Sequence, residues 1–304
     1  MRNQIVYSVA LCALACCLTS AWAQADPNAA WKPVDAALGR SGQMQPGDVY
    51  KFALPRRDMK VVKDGVTIAP GLALGSWIAF KKMGNEAMVM GDLVLADDEI
   101  EPVMLKLQQN GIEQTSIHNH LLGESPRVIY MHIAGHGDPV VLARSLASAL
   151  ALTKTPFPPA TTPPAAAQPT IDLKTAEVEQ ALGYSGKVNG GILQFSVPRI
   201  EKISDNGMEV PPAMGTATAI NFQPTGEGKA AIAGDFVLLT AEVNPVIRAL
   251  RTHGIEVEAV HNHMLFDQPH LIFMHFWAND DAVKLAQGLR AALNETSSQK
   301  PQIK

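Results

Sequence analysis

Cysteine occurs only at Cys12, Cys16 and Cys17 in a chain of 304 residues. All three lie in an N-terminal segment with the marks of a removable leader, so the mature chain is expected to contain no thiol. That excludes disulfides and thiolate metal sites, and leaves any metal to nitrogen and oxygen donors. Runs of Lys or Arg are also missing. With a formal net charge of −4, this argues against nucleic acid as a partner. An obvious nucleophile is absent, and no apolar run after the leader is long enough to stop transfer across a membrane.

The leader reads "MRNQIVYSVALCALACCLTSAWAQA", with Arg2 as the positive start, an apolar run from Ile5 to Leu18, and Ala21-Trp22-Ala23 as an A-x-A cleavage site. The expected boundaries are a signal peptide over 1–23, a first repeat over 24–152, a proline-rich linker over 153–170 and a second repeat over 171–304. A secreted or periplasmic soluble protein is the preferred reading. A lipoprotein is the alternative, because Leu14-Ala15-Cys16 resembles a lipidation motif. The linker, "TKTPFPPATTPPAAAQPT", has six prolines and no helical or strand period, as expected of a semi-extended spacer.

The two halves match each other. "AALGRSG" from Ala36 returns as "QALGYSG" from Gln180, and "FALPR" ending at Arg56 as "FSVPR" ending at Arg199. "MGDLVL" around Asp92 returns as "AGDFVL" around Asp235. From Gly91 to Asp138 the offset is a constant 143. Each half begins with a short helix near Val34–Leu38 or Val178–Leu182, followed by β-branched and aromatic segments broken by Gly, Pro and Asp-Gly turns. A helix follows, with Asp98 and Glu101 as its capping pair, Pro102 in its first turn and Gly111 at its end; its counterpart runs from about Thr240 to Gly254. A histidine-bearing hairpin comes next. The last helix carries Leu142, Leu146 and Leu150, or Leu285, Leu289 and Leu293, at helical spacing. The fold class implied is α+β: two tandem repeats about a pseudo-twofold axis, each a largely antiparallel sheet with helices and a histidine hairpin.

Those hairpins read "IHNHLLGESPRVIYMHIA" and "VHNHMLFDQPHLIFMHFW". Alternation along a strand puts His118 and His120 on one face. A turn near Glu124-Ser125 would set His132 opposite His118, and the same reasoning gathers His261, His263 and His275. Three imidazoles on one face, twice, point to a divalent transition metal in each repeat, with Zn, Cu, Fe and Ni all suited to the donor set. The opposing reading is a polar structural or substrate-gripping cluster. Glu124 and Asp267 occupy the matching turn position as a fourth oxygen ligand or proton-transfer group; H-x-H-x3-E with a later His resembles the cupin motif in its ligands only. Met131, Met274, Asn119 and Asn262 fall on the opposite face. His136, His253 and His270 have no histidine counterpart and are read as non-ligands, and "HNH" lacks the basic ββα-metal context of a nuclease. Asp92 and Asp235 need a partner inside an apolar strand. They form an Asp–Arg pair with Arg56 and Arg199, or they serve as ligands or orient an imidazole while the arginines anchor a substrate carboxylate or phosphate.

The run "MGDLVLADDEIEPVMLKLQQNGIEQTSIHNHLL" with "PRVIYMH", and its second-half partner "HNHMLFDQPHLIFMHFWANDDAVKLAQGLRAAL", resembles the LppY/LpqO family of secreted bacterial proteins, some of them lipoproteins, defined by a domain of unknown function. The likeness covers essentially the whole mature chain. It implies an envelope location and the tandem arrangement, and it brings no activity. Three functions remain open: a metal-binding protein for sensing, carriage or storage; a metal-dependent hydrolase or lyase; and a non-metal module gripping a small molecule.

Overall fold

The computed structural model describes residues 28–156 and 171–300. The leader and its three cysteines, and linker residues 157–170, lie outside the described residues. No helix among the described residues is long and apolar enough to cross a membrane.

The first half runs α1 (Lys32–Leu38), β1 (Gln43–Gln45), β2 (Val49–Pro55), β3 (Val62–Lys63), β4 (Val66–Thr67), α2 (Pro70–Ala73), β5 (Gly75–Met83), β6 (Glu86–Ala96), α3 (Asp97–Gln109), β7 (Glu113–His118), β8 (Val128–Gly137) and α4 (Pro139–Leu150). The second runs α5 (Thr175–Leu182), β9 (Lys187–Asn189), β10 (Ile192–Pro198), β11 (Ser204–Asp205), β12 (Met208–Glu209), β13 (Ala217–Gly226), β14 (Lys229–Leu239), α6 (Val243–Thr252), β15 (Glu256–His261), β16 (Asp267–Gln268), β17 (Leu271–Asp281) and α7 (Ala282–Leu293). Each half builds a six-stranded sheet of the same topology, β1-β2-β5-β6-β8-β7 and β9-β10-β13-β14-β17-β15. The pairings within both sheets are antiparallel. The α+β tandem arrangement is as the sequence implies.

Alternation along the strands fixes the layers. In β8, Met131 and Ile133 join Val34, Leu146 and Leu150 in a core between the first sheet and its helices. In β17, Met274 and Phe276 do the same with Leu285, Leu289 and Leu293. The other face of each sheet meets the other repeat: Met88, Met90 and Ala79 of the first repeat cluster with Val210, Val237 and Phe273 of the second. Val94, Val128 and Tyr130 likewise share a cluster with Ala231, Ala233 and Trp277. The molecule is thus helices, sheet, sheet, helices, with the histidine faces turned inward. Polar ties cross the interface reciprocally, Lys51 Nζ donating to Ala213 O (2.9 Å) and Gln194 Nε2 to Gly71 O (3.0 Å).

The capping of α3 differs from expectation. The helix starts at Asp97, and Glu99, not Glu101, returns to accept from Ala96 N at 2.9 Å. Because the N-cap is alanine, no side chain marked the start. Glu99 is buried, and Arg56 explains why: its Nη1 and Nη2 donate to Glu99 at 2.6 and 3.0 Å, its Nη2 and Nε to Asp58 at 2.8 and 3.0 Å, and Nη1 also to Val94 O at 2.6 Å. Arg199 repeats this arrangement with Glu242, Glu201 and Val237 O. The expected Asp92–Arg56 and Asp235–Arg199 pairs therefore do not form. All five N–H groups of each guanidinium are engaged, so neither arginine has a donor left over for a substrate.

Candidate metal centre

The register at the hairpins departs from a simple turn. Ser116, not His118, lies opposite His132, and His118 faces Tyr130, with a bulge between Gln114 and Ser116. The second half repeats this, with Ala259 opposite His275 and a bulge between Val257 and Ala259. The slip from the expected register is two residues. An even slip keeps parity, so the histidines still share a face. The connection is longer than a hairpin turn because the first-half loop is bridged to β3 through Val62 and Ser125, and the second-half loop to β11 through β16. His120 and His263 therefore sit in the loops just past the strand ends.

The larger departure is that the two sets of three meet. A sheet face with no helices over it is covered by the other repeat, so the histidine set read in each repeat becomes part of one shared cluster. The ring centroids of His118 and His261, equivalent residues, are 3.6 Å apart. His120 lies 3.7 Å from His275, and His132 lies 3.7 Å from His263. The first pair lies on the pseudo-twofold axis and the other two pairs are related by it. Within a repeat the spacing is wider, 5.1 Å for His118–His132 and 4.7 Å for His261–His275. Tyr130 stacks on His120 and Phe273 on His263. These aromatics stand two residues before His132 and His275, a parity signal readable in the sequence.

Asp92 and Asp235 complete the cluster. Register sets Asp92 directly opposite His132 and Asp235 opposite His275 on central strands. Asp92 is 3.7 Å from His120 Nε2 and 3.9 Å from His132 Nε2; Asp235 is 3.2 Å from His263 Nε2 and 3.8 Å from His275 Nδ1. Glu124 and Asp267 are engaged elsewhere. Each closes its own loop, accepting from Val128 N (3.2 Å) and Leu271 N (2.6 Å), and Asp267 also meets His270. His136 pairs with Glu86 and His253 with Ala249 O, both outside the cluster.

The protonation pattern follows from burial. His118 is pushed down to about 4 and His275 to about 3, chiefly by desolvation. His120, His132, His261 and His263 are lowered too, by burial and then by the charge of neighbouring histidines, His118 and His275 among them. Burial raises Asp92 to about 8, against the opposing pull of Lys51, and burial followed by the Asp92 charge raises Asp235 well above the usual carboxylate range. His275 Nδ1 lies 2.9 Å from Gly234 O. A carbonyl only accepts, so Nδ1 carries the proton and Nε2 keeps its lone pair. His275 Nε2, together with His118 Nε2, His120 Nε2, His132 Nε2 and His261 Nδ1, is buried without a hydrogen-bond partner, as are Asp92 Oδ1 and Asp235 Oδ1. Buried polar atoms normally find partners, so this many orphans within one cluster fit a cation.

Donor atoms of His118, His261, His263 and His275 lie within 4.8 Å of one another, as do those of His118, His120 and His132; either group could hold a metal ion. Ligands at about 2.1 Å from one ion lie within about 4.2 Å of each other, so small rotamer changes suffice.

Gly91 and Gly234 precede the carboxylates for a steric reason. A Cβ on Gly234 would stand 2.0 Å from Ala219 O, and one on Gly91 2.8 Å from Trp77 O. Gly234→Ala is expected to destabilise the protein by about 3 kcal/mol and Gly91→Ala by less, measured by urea unfolding; equal, negligible effects would refute the close approach.

Comparison with known proteins comes down to the repeats. The family model described as Domain of Unknown Function (DUF1259) matches residues 32–152 and again residues 176–295. The chain belongs to this family. Both matched regions contain one complete histidine set, so the family's unit supplies half of the centre. No curated protein matches the chain. Among solved structures, a trimeric bacterial microcompartment shell protein, PduB, is similar at 13% identity over 84% of this chain and 92% of that one, with a TM-score of 0.20. EtuB from Clostridium kluyveri is similar at 11% identity over 84% and 91%, also with a TM-score of 0.20. Likenesses of that size carry no argument about fold or function.

Sequence reasoning passed over Lys51, Lys63 and Glu258. Lys51 is pushed down to about 8 by burial and lies 4.0 Å from the Trp77 ring. Lys63 of the first repeat meets Glu258 of the second at 3.3 Å. Their counterparts are Gln194, Asp205 and Thr115, so comparing the halves could not flag them.

Proposed function

We propose that the chain is an exported envelope protein of the LppY/LpqO type that binds a divalent transition metal in a single centre shared by its repeats, for sensing, carriage or storage. The observation that carries this reading is the set of five partnerless buried imidazole nitrogens gathered with two carboxylates. A divalent ion would engage the lone pairs and ionise the carboxyls together, offsetting the cost of burying them. Six imidazoles and two carboxylates exceed the four to six positions of one ion (roughly, for these metals), so the centre accommodates up to two ions. Glu124 and Asp267, the proton-transfer candidates for a hydrolase or lyase, are committed to their loops, which favours binding over catalysis. The leader supports a free periplasmic protein, with a lipid anchor at Cys16 as the alternative.

Elemental analysis of the untagged protein, purified from its own periplasm without chelator, tests the reading beside a His132→Ala/His275→Ala variant. The expected result is about one or two equivalents of one transition metal, lost in the variant. A folded wild-type protein that holds none, even after reloading, would overturn it.

A further inference from the structure

Away from the histidines, the pseudo-symmetry of the interface breaks in the residues that fill two equivalent pockets. A cavity of about 280 Å³ opens along the inner face of the first sheet, walled by Met88, Met90, Ala134, Met208 and Phe266, with carboxylates from Asp205 and Glu113. The equivalent depression in the other half, lined by Asp64, Glu256, Trp277 and Asn279, has Trp277, the counterpart of Ala134, in its wall, 2% exposed and packed with Ala231 and Ala233, the counterparts of Met88 and Met90. Its indole N–H donates to Asp64 at 2.8 Å. The Lys63 ammonium lies 5.5 Å from the indole ring and 3.3 Å from Glu258. One half of the interface therefore contains an aromatic filler and an internal cation paired with a buried carboxylate.

The other half has neither. Asp205 stands where the first repeat has Lys63, Thr115 stands where the second has Glu258, and no Lys or Arg is among the residues lining the cavity. The rim imidazole, His136, faces Glu86 at 3.4 Å. Asp205 accepts from Phe266 N at 3.1 Å and pairs across strands with Asp267. Burial, then the Asp267 and Glu113 charges, raise its pKa against that hydrogen bond. Two flexible thioethers in place of one indole leave a space that adapts its shape, at the small end of ligand pockets. Met90 and Ala134 are each two residues from Asp92 and His132 on the same face, a step of about 7 Å, so the cavity adjoins the histidine centre.

We propose that this cavity binds a small organic cation, a primary ammonium on a short apolar body, with the charge at Asp205 and Glu113 and the body against Met88, Met90 and Met208. The ligand supplies from outside what Lys63 and Trp277 supply internally in the other half. The proposal holds whether or not the centre next to it carries a metal.

Hexylammonium, titrated into protein with isotopically labelled methionine methyls, is the probe, with hexanol and hexanoate as neutral and anionic controls. Saturable shifts of the Met88, Met90 and Met208 methyls are expected with the ammonium, weaker ones with the alcohol and none with the carboxylate. Asp205→Asn is expected to weaken binding about tenfold, the scale of one lost charge-assisted hydrogen bond. Ala134→Trp writes the indole of the other half into this cavity, with Asn206 in the place of Asp64 to accept the indole N–H. It is expected to abolish the shifts while the Met131 methyl and the unfolding midpoint stay at wild-type values. The proposal is overturned if the alcohol binds as tightly as the ammonium, or if no saturable shift appears. Should Ala134→Trp fail to fold, unchanged affinity in Asp205→Asn overturns it alone.

Discussion

Loading the centre with its ion is expected to raise the unfolding midpoint by roughly 10 °C. Free ion at about a thousand times its dissociation constant stabilises by about 4 kcal/mol, and a domain of this size moves roughly 2–4 °C per kcal/mol. The pH dependence should change as well. In the metal-free protein the six imidazoles are held below their usual value of 6.5, His118 at about 4 and His275 at about 3. The unfolded chain therefore takes up protons first as the pH falls. This contribution to stability is fully present above 6.5 and lost as pH drops through the folded values. Asp92 works the other way. Raised from 3.8 to about 8, it stabilises fully below 3.8 and loses that contribution as pH rises through 8. The metal-free protein is thus weakened on both flanks. Coordination ionises the carboxyls, so the alkaline loss should vanish, while competing protons steepen the acid loss. Midpoints measured from about pH 5 to 9 with and without ion check this; identical profiles would exclude the centre as the binding site.

Arg56→Met is expected to cost about 3–5 kcal/mol, the scale for breaking a buried pair by removing one partner. Arg56 is fully buried. Burial alone would lower its pKa, yet the bonds to Asp58 and Glu99 outweigh that and hold it above the usual value. Removing it strands Glu99, whose carboxylate also accepts from Ala96 N and Lys154 N. Arg199→Met should behave alike, since Glu242 accepts from Leu239 N and Ser297 N. A loss this large is a substantial fraction of a typical folding free energy. Urea midpoints measure it, and adding Glu99→Gln should recover part of the loss. If Arg56→Met were stable but failed to retain a small anion, the substrate-anchor reading would return.

The sequence made some of this legible for physical reasons. Strand parity placed His118, His120 and His132 on one face and Met131 on the other, and an error of two residues in register left that intact. Helical spacing found Leu142, Leu146 and Leu150, all of them buried. What covers a sheet face has no local signature, so nothing along the chain announced that His120 would meet His275 rather than a helix. Arg56 failed for a related reason. Asp92, a charge inside an apolar strand, was the partner expected, whereas only the path of α3 over the sheet brings Glu99 to Arg56, and Asp58 stands two residues along the chain.

His118 faces His261, its own equivalent. Contact between a residue and its twin is what an isologous interface makes, so in geometric terms the chain is a homodimer joined end to end. Joining has one consequence that two identical chains could never reach. In a true dimer every substitution is made twice, on both sides of the axis. Here a tryptophan can line the pocket on one side while an alanine lines its twin on the other, and a symmetric cluster can have two unlike flanks.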